Sequence, residues 1–497
     1  MTSAFIRKIA ILLAVLLFAA HFKVAADAKD KLDKLMKFYV VHGHFNGTVL
    51  IVRKGGTVLT KGYGYQDIEK KIPNDERTIF QVGGLSMLFT AELMLLLDSQ
   101  GKLGLDKKVS KYLPDFPNGD RITIRHLLTQ TSGLYDYTSD AAVMGDGTKS
   151  LALDSLMSII KSKPLSFEPG EKYQFTNTNF AVLGYIVETI TKWNLEDQIK
   201  TKIFQVCGMY HSGFDFVNMK NEHKAKGYTA DAGGVLKKAT IIDSSLSYGG
   251  GDAYTTADDL QKWHKALMSY VLMPQDWQDV GYVPLKYEHA WGWDIQHLFG
   301  KKFLEQGGVI SGFSSYIVRQ LSDDVLVVLL QNRTAPIAES KVIAHNIVRC
   351  LYDANYKLPV ADNMAAEQEA DARAEEKAIA RQDEEDSIAT AERKAHPLIV
   401  AEPKKIIEKP EPYVPFIGEY VTDPVFSVLI THMGAALYAQ ATSQDIILLQ
   451  PDSSNPLLYK ADGGKTVEFV KDEQGTISKL IYRYSGKQKE AIKTIKR

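Results

Sequence analysis

Hydrophobic and polar positions divide the chain into elements before any chemistry is considered. LDKLMKFYVVH, from Leu32 to His42, spaces its apolar residues as a helix does and predicts an opening helix. NGTVLIVRKGGTVLTKGYGYQD alternates on either side of Gly55-Gly56, the pattern of a β-hairpin. Leu85 to Ser99 is apolar nearly all round, so it predicts a helix with no solvent face, placed at the centre of a domain. GGVISGFSSYIVRQLSDDVLVVLLQN predicts two strands joined by a turn at Ser322-Asp323-Asp324, followed by a helix to Tyr352.

The pattern changes after Pro359. Residues 362–395 are nearly all Ala, Glu, Asp, Lys, Arg and Gln, with opposite charges at helical spacing such as Glu369 and Arg373, which predicts a solvated helix or a flexible tether. HPLIVAEPKKIIEKPEPYVP carries five prolines and is expected to be extended. From Tyr413 short β-like runs return (FSVLITHM, ALYAQAT, DIILLQP, TVEFVKD, SKLIYRYS), predicting a small antiparallel β domain. The expected organisation is a leader over 1–26, a large domain over 27–359, a linker over 360–412 and a β domain over 413–497.

Composition refines this picture without overturning it. At 497 residues, 45% hydrophobic and 24% charged, the chain is globular and too long for one ordinary core. A formal charge of -1 offers no basic excess, so nucleic acid is not an expected partner. Arg7-Lys8 precede the apolar run Ile9 to Ala20, and Val24-Ala25-Ala26 supplies the small residues that a signal peptidase reads. Twelve apolar residues fall short of the roughly 20 that span a bilayer, so the run predicts a cleaved leader, export to a periplasm or the exterior, and no stable membrane span afterwards. Removing Arg7, Lys8 and Lys23 with it takes the formal charge from -1 to -4. Cys207 and Cys350 both sit among apolar residues and read as two buried thiols, although an oxidising compartment leaves a bridge open. With no Cys/His cluster at zinc spacing, neither a metal nor a cofactor is expected.

Eight segments in order carry a family resemblance: NGTVLIVRKGG, GYGYQDIEKKIPNDERTIFQVGGLS, FTAELMLLLDSQGKLGLDKKVSKYLPDFP, ITIRHLLTQTSGLYDY, LSFEPGEKYQFTNTNFAVLGYIVE, YGGGDAYTTADDLQKWHKAL, AWGWDI and QGGVISGFSSY. Over about Lys31 to Tyr352 the chain resembles the serine β-lactamase and penicillin-binding-protein-like hydrolases, related to class C β-lactamases. The resemblance implies an α/β (α+β) domain, an antiparallel sheet flanked by helices with an all-helical subdomain.

It also implies a Ser-x-x-Lys at the start of the buried helix, because a spacing of three puts nucleophile and base on one face. The matching positions hold Gly84 and Met87. Glycine has no side chain to acylate, and methionine fills the space of a lysine without its charge. The family's Tyr-x-Asn falls on Phe175-Thr176-Asn177, which keeps the ring and loses the hydroxyl. Its His- or Lys-led triplet ending in Gly falls on Gln306-Gly307-Gly308, where glutamine hydrogen-bonds but does not titrate near neutrality. Phe89-Thr90-Ala91, Thr131-Ser132-Gly133-Leu134, Pro169-Gly170 and Gly312-Phe313 keep the family pattern, so the loss is confined to the chemistry.

The expected function is therefore that of an exported, non-catalytic relative acting by binding. Its pocket would be lined by Gly84, Met87, Phe175, Asn177, Gln306, Gly308 and Gly312, and the family implies peptidoglycan-like peptides, small esters or amides, or a protein partner. The alternative is an active serine hydrolase with displaced residues. Ser86 lies two positions beyond Gly84, about 200° round the helix, and reads as packing. Ser132 and Ser311 fall in turns, and His126 reads as satisfied by backbone at a helix start. Asp258-Asp259 read as a helix-start pair capped by Thr255 or Thr256. Tyr63, Tyr65 and Tyr254 are groove-lining candidates, although strand-end tyrosines are usually partly buried packing, and Trp291 and Trp293 read as a floor. Tyr173, two residues before Phe175, points to the same side if extended, but a proton donor without a nucleophile does nothing alone.

Overall fold

A computed structural model describes residues 27–231, 235–284, 288–373 and 377, and residues 416–493 with gaps at 417, 424–425, 434–435, 442–446, 453, 462–463 and 485–486. The leader and the proline-containing segment lie outside the described residues.

The opening helix, α1, covers 27–41. A six-stranded antiparallel sheet follows, built from β1 (Gly47–Arg53), β2 (Gly56–Tyr63), β3 (Asp294–Leu298), β4 (Lys301–Ile310), β5 (Phe313–Gln320) and β6 (Val325–Gln331). Its order is β2-β1-β6-β5-β4-β3, so β1 pairs with β6, the last of the six in the chain. The β1–β2 turn centres on Lys54 and Gly55, at φ 51° and 72°, one residue earlier than the hairpin pattern predicts. Left-handed backbone at both positions matches the twist of the flanking strands.

Burial on both faces explains why β6 is apolar from Val325 to Leu330. On β6, Leu326, Val328 and Leu330 join the core shared with α2 (Ser86–Ser99), while Val325, Val327 and Leu329 join the one shared with α1 and α5 (Ile337–Tyr352). Helices cover both faces, so all seven residues of VLVVLLQ are buried, and each Val or Leu there contributes roughly 1.5–3 kcal/mol. α2 is buried from Ser86 to Leu97, as its sequence predicts. The helical region contributes α3 (Asn177–Thr191) and α4 (Ala257–Met268), the latter capped by the Thr256 hydroxyl accepting the Asp259 N–H at 3.1 Å.

Past α5 the acidic segment forms a further helix, α6 (364–373), and this helix is docked: Met364 is buried in the α1–α5 core. The C-terminal β domain closes into a barrel of eight antiparallel strands running from Gly418–Asp423 to Lys487–Lys493, with the first paired to the last. Every second residue faces inward (Val428 and Ile430, Val467 and Phe469, Leu480 and Tyr482), and closure leaves no free edge. Cys207 and Cys350 are free thiols packed against different cores, pushed up to about 12 and about 11 by burial. Among the described residues no helix is long and apolar enough to cross a membrane.

Candidate functional site

The short turn over Gly83–Leu85 that leads into α2 meets β4 across a contact made of glycines. Alternation on β4 directs Leu304, Gln306 and Gly308 toward α2, and Phe303, Glu305 and Gly307 toward α5. A Cβ on Gly308 would overlap the Val82 carbonyl oxygen and stand 2.7 Å from the Gly84 nitrogen. The Ser315 hydroxyl holds that Val82 carbonyl at 2.7 Å. A Cβ on Gly84 would stand 2.9 Å from the Gly307 carbonyl oxygen, so any side chain there displaces the strand or the turn. Gly84 itself is half-buried, at the mouth of the contact.

Met87, 1% exposed, points its thioether into a polar enclosure. Its sulfur accepts the Gln130 side-chain N–H at 3.9 Å. A Cβ on Gly250 would lie 3.3 Å from its methyl carbon and 3.5 Å from Asn177 Oδ1, so Met87, Asn177 and Gly250 converge. The Asn177 amide is directed inward: Nδ2 donates to Thr138 Oγ1 at 2.9 Å, and its backbone N–H donates to Asp136 at 3.2 Å. Phe175, 45% exposed, presents its ring outward. Gln306 is 8% exposed and its amide makes no hydrogen bond among the described residues. Gly312 lies in the β4–β5 turn at φ +86°, its N–H donating to Thr334 Oγ1 at 2.8 Å and its carbonyl accepting from Tyr228.

The other hydroxyls and carboxylates occupy structural positions. Ser86 Oγ accepts the Ala253 N–H at 3.0 Å on the far side of α2. Ser132 donates to Asn179 and accepts from the Leu134 N–H, and Ser311 is half-buried in the β4–β5 turn. His126 forms a capping box with Thr123. Asp259 accepts from His211 N–H and Ser212, and Lys262 pairs with both Asp258 and Asp259. Trp291 and Trp293 are buried, whereas Tyr65 is 42% exposed and Tyr254 half-buried; Tyr63 donates to Asp33.

Two features escaped the reading of the sequence. Gln130, left-handed at φ 59°, ties the site together: its Oε1 accepts Thr176 N–H and Asn179 Nδ2, and its carbonyl accepts Gln174 N–H. Its place in TQTSGL was the available signal. Tyr173 stacks on His289 at 3.6 Å between ring centroids, and Asp294 takes the His289 Nδ1. No local pattern links residues so far apart in the chain. Two carboxyls are buried, one on α2 itself: burial lifts Glu92 of α2 to about 7 against the opposing charge of Arg319, and lifts Asp252 to about 8 with a further push from Glu196.

A family profile described as Beta-lactamase matches residues 28–349. PbpX of Bacillus subtilis, named as a penicillin-binding protein, is 33% identical over 61% of this chain and 74% of its own. The Staphylococcus aureus protein flp is 30% identical over 62% of this chain, and the match spans less than two thirds, 64%, of its length. Among solved structures, a penicillin-binding protein from Bacillus halodurans superposes with a TM-score of 0.56 at 25% identity, covering 63% of this chain and 98% of that one. The octameric penicillin-binding protein homologue from Pyrococcus abyssi superposes with a TM-score of 0.59 at 21% identity over 93% of this chain and 99% of that one, a likeness of fold that reaches past the matched domain. With this fold, these motif positions and a profile spanning most of the large domain, the chain belongs to the Beta-lactamase family.

Proposed function

We propose that this protein is an exported, non-catalytic member of its family that binds an extended peptide-like ligand along β4. One observation carries the reading: the nucleophile position is a glycine against which the Gly307 carbonyl has closed in, and the base position is a thioether. An acyl transfer needs an oxygen or sulfur nucleophile and a group to accept its proton, and neither position supplies one. Ser86, two residues on, is buried and accepts a backbone N–H, and the Ser315 hydroxyl donates to the Val82 carbonyl, which speaks against a displaced nucleophile.

Binding finds support in the strand edge. β3 pairs only with Lys301 to Glu305, so Gln306 to Ile310 have no strand partner on that side among the described residues. A peptide laid there gains main-chain hydrogen bonds, and the free Gln306 amide adds another. The relatives named for penicillin binding favour a peptidoglycan-like peptide over an unrelated ligand. Export rests on the Arg7-Lys8 leader pattern alone.

Serine-directed reagents test the reading. Neither a fluorophosphonate nor a fluorescent penicillin is expected to label the natural chain, and a stoichiometrically labelled serine would sink the proposal. Combining Gly84→Ser, Met87→Lys, Phe175→Tyr and Gln306→His is expected to restore slow labelling at position 84, provided the Gly307 carbonyl gives way. A stem peptide ending in D-alanyl-D-alanine, titrated by calorimetry, is expected to bind and to weaken about tenfold with Gln306→Ala.

A further inference from the structure

On the face of β4 opposite the site, two histidines each lie between two carboxylates, one from the large domain and one from the docked acidic segment. His44 Nδ1 lies 3.2 Å from Glu339 Oε1, and its Nε2 lies 2.9 Å from Asp362 Oδ2. His345 Nε2 lies 2.9 Å from both Glu305 oxygens, and its Nδ1 lies 4.0 Å from Asp371 Oδ2. The domain carboxylates are buried, with Glu305 and Glu339 side chains 0% and 8% exposed, whereas those of Asp362 and Asp371 are 42% and 28% exposed. We propose that residues 362–373 form a latch that His44 clips through Asp362, docked while that ring carries two protons and released as it loses one, with His345 facing Asp371 of the same segment.

The chemistry of the ring gives the direction. An imidazolium donates from both nitrogens and so satisfies both carboxylates; a neutral imidazole donates from one. An unpaired buried carboxylate costs more than an exposed one, so the remaining proton of His44 stays with Glu339 and Asp362 loses its partner. Glu339, and then Asp362 against the opposing effect of burial, hold His44 above its ordinary value. A histidine raised in this way contributes fully below its ordinary value, and the contribution is lost as pH rises through the raised one.

Other charged and polar groups face the two histidines and their carboxylates. Arg333 donates to Glu339 at 2.6 Å and to the His44 carbonyl at 3.0 Å, and His42 acts on Asp362 through space. Tyr316 donates to Glu305 at 2.8 Å. Glu367 accepts from Asn346 at 2.8 Å and lies 4.0 Å from Arg349. Release reaches the site by two short routes: Glu305 immediately precedes Gln306 on β4, and Ile337, in the same first turn of α5 as Glu339, covers Gly307.

Hydrogen exchange of the full chain, read by mass spectrometry as protection factors, tests the latch. Protection across 364–373 is expected to fall at least tenfold between about pH 5.5 and about pH 8.5, while protection of β6 holds. Asp362→Asn combined with Asp371→Asn is expected to give the low value at both pH values. Asp362 also caps α6, accepting the Met364 N–H at 3.2 Å, and asparagine keeps that cap, so the loss reports the clips. Equal protection at the two pH values, a wild-type profile in the double variant, or a parallel fall in β6 each overturns the proposal.

Discussion

Asp252 illustrates how one buried group sets a pH dependence with no catalytic meaning. One carboxyl oxygen accepts the Gly249 N–H at 3.2 Å and the other has no partner among the described residues, at 1% exposure. Burial, reinforced by Glu196, keeps it protonated up to about 8. An acid raised in the folded state takes up protons on folding, so stability is greatest below the ordinary carboxyl range and declines as pH climbs toward the raised value. Asp252→Asn keeps the shape and the acceptor and removes the ionisation. The variant is expected to melt about 3 °C or more above wild type at about pH 8.5, with a smaller gain at about pH 5. A gain independent of pH would mean that Asp252 is not the source. The same scale carries the functional argument, since Gly84 and Met87 matter through an absent oxygen and an absent ammonium.

Between elements, the decisive contact is β4 against the turn that opens α2, and its glycines are not equivalent. A methyl at 308 overlaps the Val82 carbonyl, whereas a methyl at 84 meets the Gly307 carbonyl at 2.9 Å, a contact that a small strand movement relieves. Gly308→Ala is expected to cost roughly 2–4 kcal/mol and Gly84→Ala roughly 1 kcal/mol, read from urea midpoints; equal costs would show that the turn, and not the strand, yields. Much at this scale was legible. All-round apolarity placed α2 at the centre, and alternation with turn residues found β1, β2, β5 and β6. The β3–β4 hairpin was missed because its turn, Phe299-Gly300 at φ 53° and 67°, puts a phenylalanine where the backbone favours glycine or asparagine. Docking of α6 was hidden because one apolar residue, Met364, and polar contacts to residues distant in the chain, such as His44 and Asn346, hold it. The three motif positions of the site showed in sequence, while the Tyr173–His289 stack exists only once the chain has folded.

At the scale of the whole molecule, the barrel has its own core, built from Tyr420, Val467, Phe469, Leu480 and Tyr482 among others, with no member shared with the two cores of the large domain. Closure by pairing of its first and last strands satisfies its edges internally. A chain of residues 416–493 is therefore expected to fold alone and unfold cooperatively. The sequence supplies a way to follow each part in the full protein: all five tryptophans, Trp193, Trp263, Trp277, Trp291 and Trp293, lie in the large domain. Tryptophan fluorescence thus reports that domain alone, while far-ultraviolet circular dichroism reports both. Thermal unfolding is expected to give one fluorescence transition and two dichroic ones, the second dichroic midpoint matching that of the isolated barrel. A single midpoint shared by both probes, together with an unfolded isolated barrel, would make the barrel dependent on its neighbour; it would then be part of the large domain's stability and not a separate module on a tether.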